Sequence, residues 1–196
     1  MKLLNLKHFW TTYSLASNLK REAWNLLFKI QNLFGGDMED KKKRMAIIAS
    51  KGTLDMAYPP LILASTAAAM DVEVGIFFTL YGVDIVNKKK IRSLKVAPIA
   101  NPAMPSPIPF PNILGVLPGM TSMATMMMKG MIKKINWPTI PELLQVCLEA
   151  GVRMIACAPT LEMTGVEKED LIEGVEIAGA AEFLDFALDA NINLFI

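Results

Sequence analysis

Two cysteines, Cys147 and Cys157, are the side chains of this chain best suited to nucleophilic chemistry. Its only histidine, His8, lies far from both, in the N-terminal part. A thiolate needs no histidine to attack sulfur, because thiol–disulfide exchange proceeds by thiolate attack and thiolate departure. Cys157 ends the run Gly151-Val152-Arg153-Met154-Ile155-Ala156-Cys157 and is followed by Ala158-Pro159-Thr160. That pattern reads as a buried strand entering a helix directly, with Pro159 in the first helical turn. In an open α/β sheet, chemistry gathers outside the carboxyl ends of the strands. There, unpaired backbone N–H groups and the positive end of a helix dipole favour a thiolate. The alternative reading of Cys157 is an inert buried thiol, a common state for cysteine.

Cys147 falls near the end of the preceding helix, which runs antiparallel to the Cys157 strand. Counting back along the helix and forward along the strand separates the two thiols by on the order of 14 Å along the axis. A disulfide needs Cα atoms within about 7 Å. Cys157 is therefore the leading candidate, and Cys147 is a core residue kept as a secondary one. Thr53 and Asp55, after the first strand, are further candidates for ligand contact at the same sheet edge, although Asp55 is also an ordinary first-turn carboxylate.

Other chemistries lack their residues. The chain has no Cys-x-x-Cys, no histidine cluster at metal spacing, no Gly-x-Gly-x-x-Gly and no P-loop. No cofactor and no metal are expected. Thioether ligation of Cu(I) by the methionines is chemically feasible, but packing is the commoner use of methionine.

Near-continuous apolar runs supply the strands that must position these residues. Met45-Ala46-Ile47-Ile48-Ala49 comes first, then residues 72–79, 152–157, 174–178 and 191–196. Helical stretches alternate with them, at 54–70, 139–150 and 179–190, and a short helix leads from Tyr81-Gly82 towards Asn87. Buried strands alternating with helices imply a parallel sheet covered on both faces. Residues 98–118 hold seven prolines and can be neither helix interior nor central strand. After them, Met120, Met123, Met127 and Met131 recur on one helix face, as suits an adaptable cover or a subunit interface. Residues 113–132 are long enough to span a bilayer, but Pro118, Gly119, Lys129 and Gly130 dilute that signal. Glu162, Glu167, Glu169 and Asp170 read as a solvated acidic surface.

Residues 1–40 read as a basic amphipathic helical extension, with Leu6, Trp10, Tyr13, Trp24, Leu27, Phe28 and Phe34 at helical spacing. Packing on a neighbouring subunit is the first reading of residues 1–34, and peripheral membrane contact is the second. Apolar residues make up 53% of the chain, which implies burial beyond one domain core. Residues 1–44 carry nine Lys/Arg against four Asp/Glu, and the remainder eleven against fifteen. The mildly acidic body offers no basic face for nucleic acid. Two cysteines make no disulfide framework, so a cytoplasmic protein is expected.

Beyond these readings, the ordered set Ser50-Lys51-Gly52-Thr53-Leu54-Asp55, Glu73-Val74-Gly75-Ile76-Phe77-Phe78-Thr79, Tyr81-Gly82, Ala156-Cys157, Met163-Thr164-Gly165-Val166 and Glu176-Ile177-Ala178-Gly179 resembles the DsrE/DsrF-like family of sulfur-relay proteins, closest to its peroxiredoxin-like DsrE branch. The resemblance covers residues 45–196, with the Pro/Met-rich insertion at about 98–134. It implies a flavodoxin-like three-layer α/β sandwich with a mainly parallel five-stranded sheet. It also implies a homo-oligomer, a trimer or tetramer, and a cysteine that carries sulfane sulfur as a persulfide or thiosulfonate. That cysteine corresponds to Cys157. Sulfur donor and acceptor proteins and small sulfane-sulfur compounds are the implied partners, and sulfurtransferase or stoichiometric sulfur carrier is the implied role. The alternative is a non-enzymatic interaction subunit with a buried, unreactive Cys157.

Overall fold

Runs rich in Ile, Val and Phe that are apolar on both sides of the pleat become strands covered on two faces. The computed structural model describes residues 42–97 and 118–196, which belong to one compact unit, Lys42–Ile196. Its strands are β1 (Arg44–Ala49), β2 (Glu73–Phe78), β3 (Arg153–Cys157), β4 (Val175–Ala178) and β5 (Ile192–Phe195). Its helices are α1 (Leu54–Ala69), α2 (Met120–Lys134), α3 (Ile140–Glu149), α4 (Ala158–Thr164) and α5 (Ala180–Leu188). The expected extension at residues 1–40 and the proline-rich run at 98–117 lie outside the described residues.

All strand pairs are parallel, in the order β4-β3-β2-β1-β5. The chain steps one way from β1 to β4 and then returns to the far side of β1. Right-handed crossovers therefore place the early helices on one face and the last helix on the other. In agreement, α1 packs on α3 and on β1 and β2, whereas α5 packs on β1 and β2 from the other side. The expected three-layer α/β sandwich with a five-stranded sheet is thus observed, and all of its strand pairs are parallel.

Strand alternation divides the interior into two cores. Ile47, Ala49, Ile76, Phe78, Met154 and Ala156 point to the α1/α3 face and join Leu61, Ala64, Leu144 and Cys147. Ala46, Phe77, Ile155 and Cys157 point to the α5 face and meet Phe183, Phe186 and Ala187. There the Phe77 and Phe183 rings stack with centroids 4.9 Å apart.

Helix α1 holds Pro59 and Pro60 in its interior, where each removes a backbone hydrogen bond. Burial of Pro60, Leu61 and Ala64 offsets that loss, so packing decides where propensity alone predicts a break. Helix α3 starts on a reciprocal cap: the Thr139 N–H donates to the Glu142 carboxylate at 2.7 Å, and its hydroxyl donates to the same oxygen at 2.8 Å. Helix α2 turns Thr125, Met128 and Ile132 towards the body, and the Thr125 hydroxyl accepts the Val96 N–H at 3.1 Å. The predicted methionine face is its outward side, with Met123, Met127 and Met131 exposed.

Two details differ from the sequence reading. The short helix after β2 is a 3-10 turn, Leu80–Ile85, because Gly82 turns the chain tightly beneath β1. Asp170 is not a freely solvated acid: Lys89 holds it at 2.6 Å.

The turns after β1 and β2 press backbone against backbone. A Cβ on Gly82 would lie 2.0 Å from the Ala49 carbonyl oxygen, and one on Gly52 would lie 2.1 Å from the Tyr81 carbonyl oxygen. Neither obstacle is a side chain that can rotate away. Gly82→Ala is expected to destabilise the fold by about 2–3 kcal/mol. Gly130→Ala, in open space on α2, is expected to stabilise by up to about 1 kcal/mol. Urea unfolding of both variants measures this contrast, and equal midpoints would refute the backbone clamp.

Candidate functional site

Register brings three elements together around Cys157. Phe78 pairs with Ala156 across β2 and β3, so Thr79, the next residue, comes level with Cys157. On the other side Cys157 pairs with Ala178. Cys157 is also the N-cap of α4, which folds immediately because Pro159 occupies the first helical turn, where no intrahelical N–H is required. Thr160 then falls one helical turn beyond the cysteine, with its backbone N–H directed to the helix start.

A small hydroxyl relay surrounds the thiol. The Leu80 N–H donates to the Thr160 hydroxyl oxygen at 3.1 Å, and the Thr79 and Thr160 hydroxyls lie 3.4 Å apart. Because Thr160 Oγ1 accepts from Leu80, its own proton is free to be given away. Leu80 occupies the left-handed region, φ 50°, a conformation costing about 1 kcal/mol for a residue with a Cβ. The residue that holds this strained turn is the one whose N–H is bonded to Thr160.

The balance of effects at Cys157 favours the thiolate. Burial, at 8% exposure, pushes its pKa up. Hydrogen bonding to ionised sulfur from the Thr160 hydroxyl, the Thr160 N–H and the Thr79 hydroxyl outweighs burial and holds the pKa below the usual thiol value.

Cys147 has the opposite environment. It is fully buried in the α1/α3 core, and its Sγ–H donates to the Leu61 carbonyl at 3.4 Å. Burial pushes its pKa to about 11, against a weaker opposing effect from the Ser65 N–H. The two thiols occupy different cores on opposite faces of the sheet, and both are free. Thr53 and Asp55 sit at the start of α1, beyond β1, with β2 between that strand and β3. Thr53 Oγ1 and Asp55 Oδ1 are buried without a hydrogen-bond partner. No described hydrogen bond joins either residue to Cys157.

Thr79, Leu80 and Thr160 were absent from the candidates drawn from sequence. Thr160 was within reach, since a residue three positions after an N-cap faces it. Thr79 required the β2–β3 register, and Leu80 required its positive φ. Among the described residues no three His, Cys, Asp or Glu side chains gather as metal ligands.

Comparison with known proteins gives the chain a family. Residues 41–195 match the model of the DsrE/DsrF/DrsH-like family. The sulfur carrier protein DsrE2 of Allochromatium vinosum is 48% identical over 160 residues, covering 80% of this chain and 99% of that protein. The uncharacterized protein YrkE of Bacillus subtilis is 30% identical over 162 residues, covering 81% and 100%. The ychN protein of E. coli superposes with a TM-score of 0.42 at 13% identity, covering 79% of this chain and 99% of that one. On its residues 41–195, the chain belongs to the DsrE/DsrF/DrsH-like family.

Proposed function

We propose that this protein is a sulfur carrier that holds sulfane sulfur on Cys157 and passes it to a partner thiol. The observation that carries the reading is the Cys157 thiol at a strand–helix junction, where two threonine hydroxyls and an N–H favour its charged form. A relative 48% identical to this chain bears the name sulfur carrier protein, which supports the same role.

The chemistry balances without any added oxidant. The Cys157 thiolate attacks the outer sulfur of a donor persulfide, forming a new S–S bond as the donor's own S–S bond breaks and its thiolate departs. An acceptor thiolate then attacks that outer sulfur, and the Cys157 thiolate leaves. Thr160 and Thr79 serve both steps, because each requires a stabilised sulfur anion at the same place. A persulfide at Cys157 is further from solvent than one on an exposed loop, and Phe77, Ala178 and Phe183 line that side. A reducing compartment suits a carrier whose resting state is a free thiol.

Purified protein treated with polysulfide or tetrathionate is expected to gain a single sulfur-containing adduct in intact mass. The adduct should be absent from Cys157→Ser and retained by Cys147→Ala. No adduct on the wild type, or an equal one on Cys157→Ser, overturns the reading.

The relay makes a separate prediction about pH. Removing the Thr160 hydroxyl takes away the leading favourable influence on the thiolate, so the Cys157 pKa rises and less thiolate is present at neutral pH. Thr160→Val should therefore slow alkylation of Cys157 by iodoacetamide several-fold at pH 7 and move the pH–rate midpoint upward. Thr160→Ser, which keeps the hydroxyl, should restore most of the rate. An unchanged midpoint in Thr160→Val would remove the relay from the account.

The second reading, an interaction subunit, is favoured by the outward methionine face of α2, with Met126 at 72% exposure. The homo-oligomer expected from the family fits the same face. Met126→Glu with Met127→Glu is expected to lower the assembled mass seen in native mass spectrometry. If assembly is lost while wild-type Cys157 proves inert, this second reading replaces the first. No helix among the described residues is long and apolar enough to cross a membrane.

A further inference from the structure

Charge is distributed very unevenly along the chain. From residue 85 to residue 141 there are eight Lys/Arg and not one Asp/Glu, so the remaining residues hold twelve against nineteen. Two of the eight are neutralised, Lys89 by Asp170 and Lys90 by Asp84. Arg92, Lys129 and Lys133 take part in no ion pair among the described residues. All three line one cavity of about 930 Å3.

The cavity lies between the end of α2, the starts of α1 and α3, and the 91–94 turn. Both helix starts are at the carboxyl end of the sheet, the end that carries Cys157. The cavity is on the α1/α3 side, whereas the Cys157 side chain faces the α5 side. Its floor is apolar and well fixed: Leu54, Ile91, Leu94 and Ile140 are buried core residues, and Ile132 packs against them. Trp137 contributes an indole 44% exposed.

The frame is rigid at both ends. Asn136 takes a left-handed φ of 51°, which asparagine tolerates, and the Trp137 N–H closes the α2 terminus on the Ile132 carbonyl at 3.0 Å. The Lys129 ammonium donates to the Arg92 carbonyl at 3.2 Å and ties α2 to the 91–94 turn. The one carboxylate in the cavity wall, Glu142, is already engaged by the Thr139 N–H and hydroxyl. Three cations against one committed anion leave the cavity with an excess of positive charge over an apolar floor. Its volume falls in the range of small-molecule sites.

We propose that this cavity binds an amphiphilic organic anion, with its apolar body on Trp137, Ile132 and Leu54 and its sulfonate, phosphate or carboxylate head at Arg92 and Lys133. Neutral apolar molecules leave the cations without a partner, and inorganic anions leave the floor wet, so the site selects for both properties in one molecule. This site is separate from Cys157, and its occupancy does not depend on sulfur chemistry.

The test is calorimetric titration of the full chain with 2-naphthalenesulfonate, its neutral analogue 2-naphthalenemethanol, and inorganic sulfate. One sulfonate per chain is expected, with the neutral analogue at least about tenfold weaker and sulfate silent. Arg92→Glu with Lys133→Glu should weaken the sulfonate by about tenfold or more. Lys134→Glu, outside the cavity lining, should leave it unchanged, as should Cys157→Ser. Ile132→Asp should abolish binding; circular dichroism and the thermal midpoint check its fold, and the charge-reversed pair decides the matter if that variant unfolds. Equal binding of the neutral analogue, undiminished binding by the charge-reversed pair, or several equivalent sulfonate sites would overturn the proposal. So would binding to phosphatidylglycerol vesicles without any binding of the soluble sulfonate, which would assign the cationic face to a lipid surface.

Discussion

Parallel pairing of buried strands with level carboxyl ends is the constraint on which this molecule depends. Because β2 and β3 pair Phe78 with Ala156, the next residue on each, Thr79 and Cys157, comes to the same height. A slip of one residue would reverse every side chain between the two cores. It would turn Cys157 from the α5 side to the α1/α3 side. The apolar content of both strand faces fixes the sheet as an interior layer, and the backbone contacts of Gly52 and Gly82 fix the turns that leave it.

The two cysteines show how placement within one sheet separates chemistry from packing. Each is almost fully enclosed, and enclosure alone makes a thiolate costly. Cys147 donates to the Leu61 carbonyl, and only a weaker influence from the Ser65 N–H opposes its burial. At Cys157 the Thr160 hydroxyl and N–H and the Thr79 hydroxyl favour the anion. Burial raises both pKa values; at Cys147 it prevails, and at Cys157 the donors outweigh it. Leu80 belongs to the same scheme, since its N–H, at a strained turn, is bonded to the Thr160 hydroxyl.

Much of the scaffold was legible in the chain. The five apolar runs became five strands, and β-branched and aromatic residues between turn signals left little ambiguity. The helix at 139–150 was legible as such, and the strand–helix junction at Cys157 from Pro159. The separation of Cys147 from Cys157 could be estimated from helical and strand rise alone. Other features arise only in three dimensions. The relay depends on register between residues eighty positions apart, and the outward turn of the α2 methionines depends on Thr125 bonding to Val96. Asp170 looked like one of several surface acids until tertiary folding placed Lys89 beside it. The cavity joins cations from an acid-free stretch, which the comparison of residues 1–44 with the remainder did not isolate, to an apolar floor from α1, α3 and the 91–94 turn.

Carriage of sulfur requires release as well as capture, and transfer is the most direct test of both. Protein loaded with a sulfane donor labelled in its outer sulfur by a heavy isotope, then mixed with an acceptor thiol, should show the label first on the Cys157 peptide and then on the acceptor. Label that never reaches the Cys157 peptide, or reaches it and cannot be transferred to any thiol, would contradict a sulfur-carrying role.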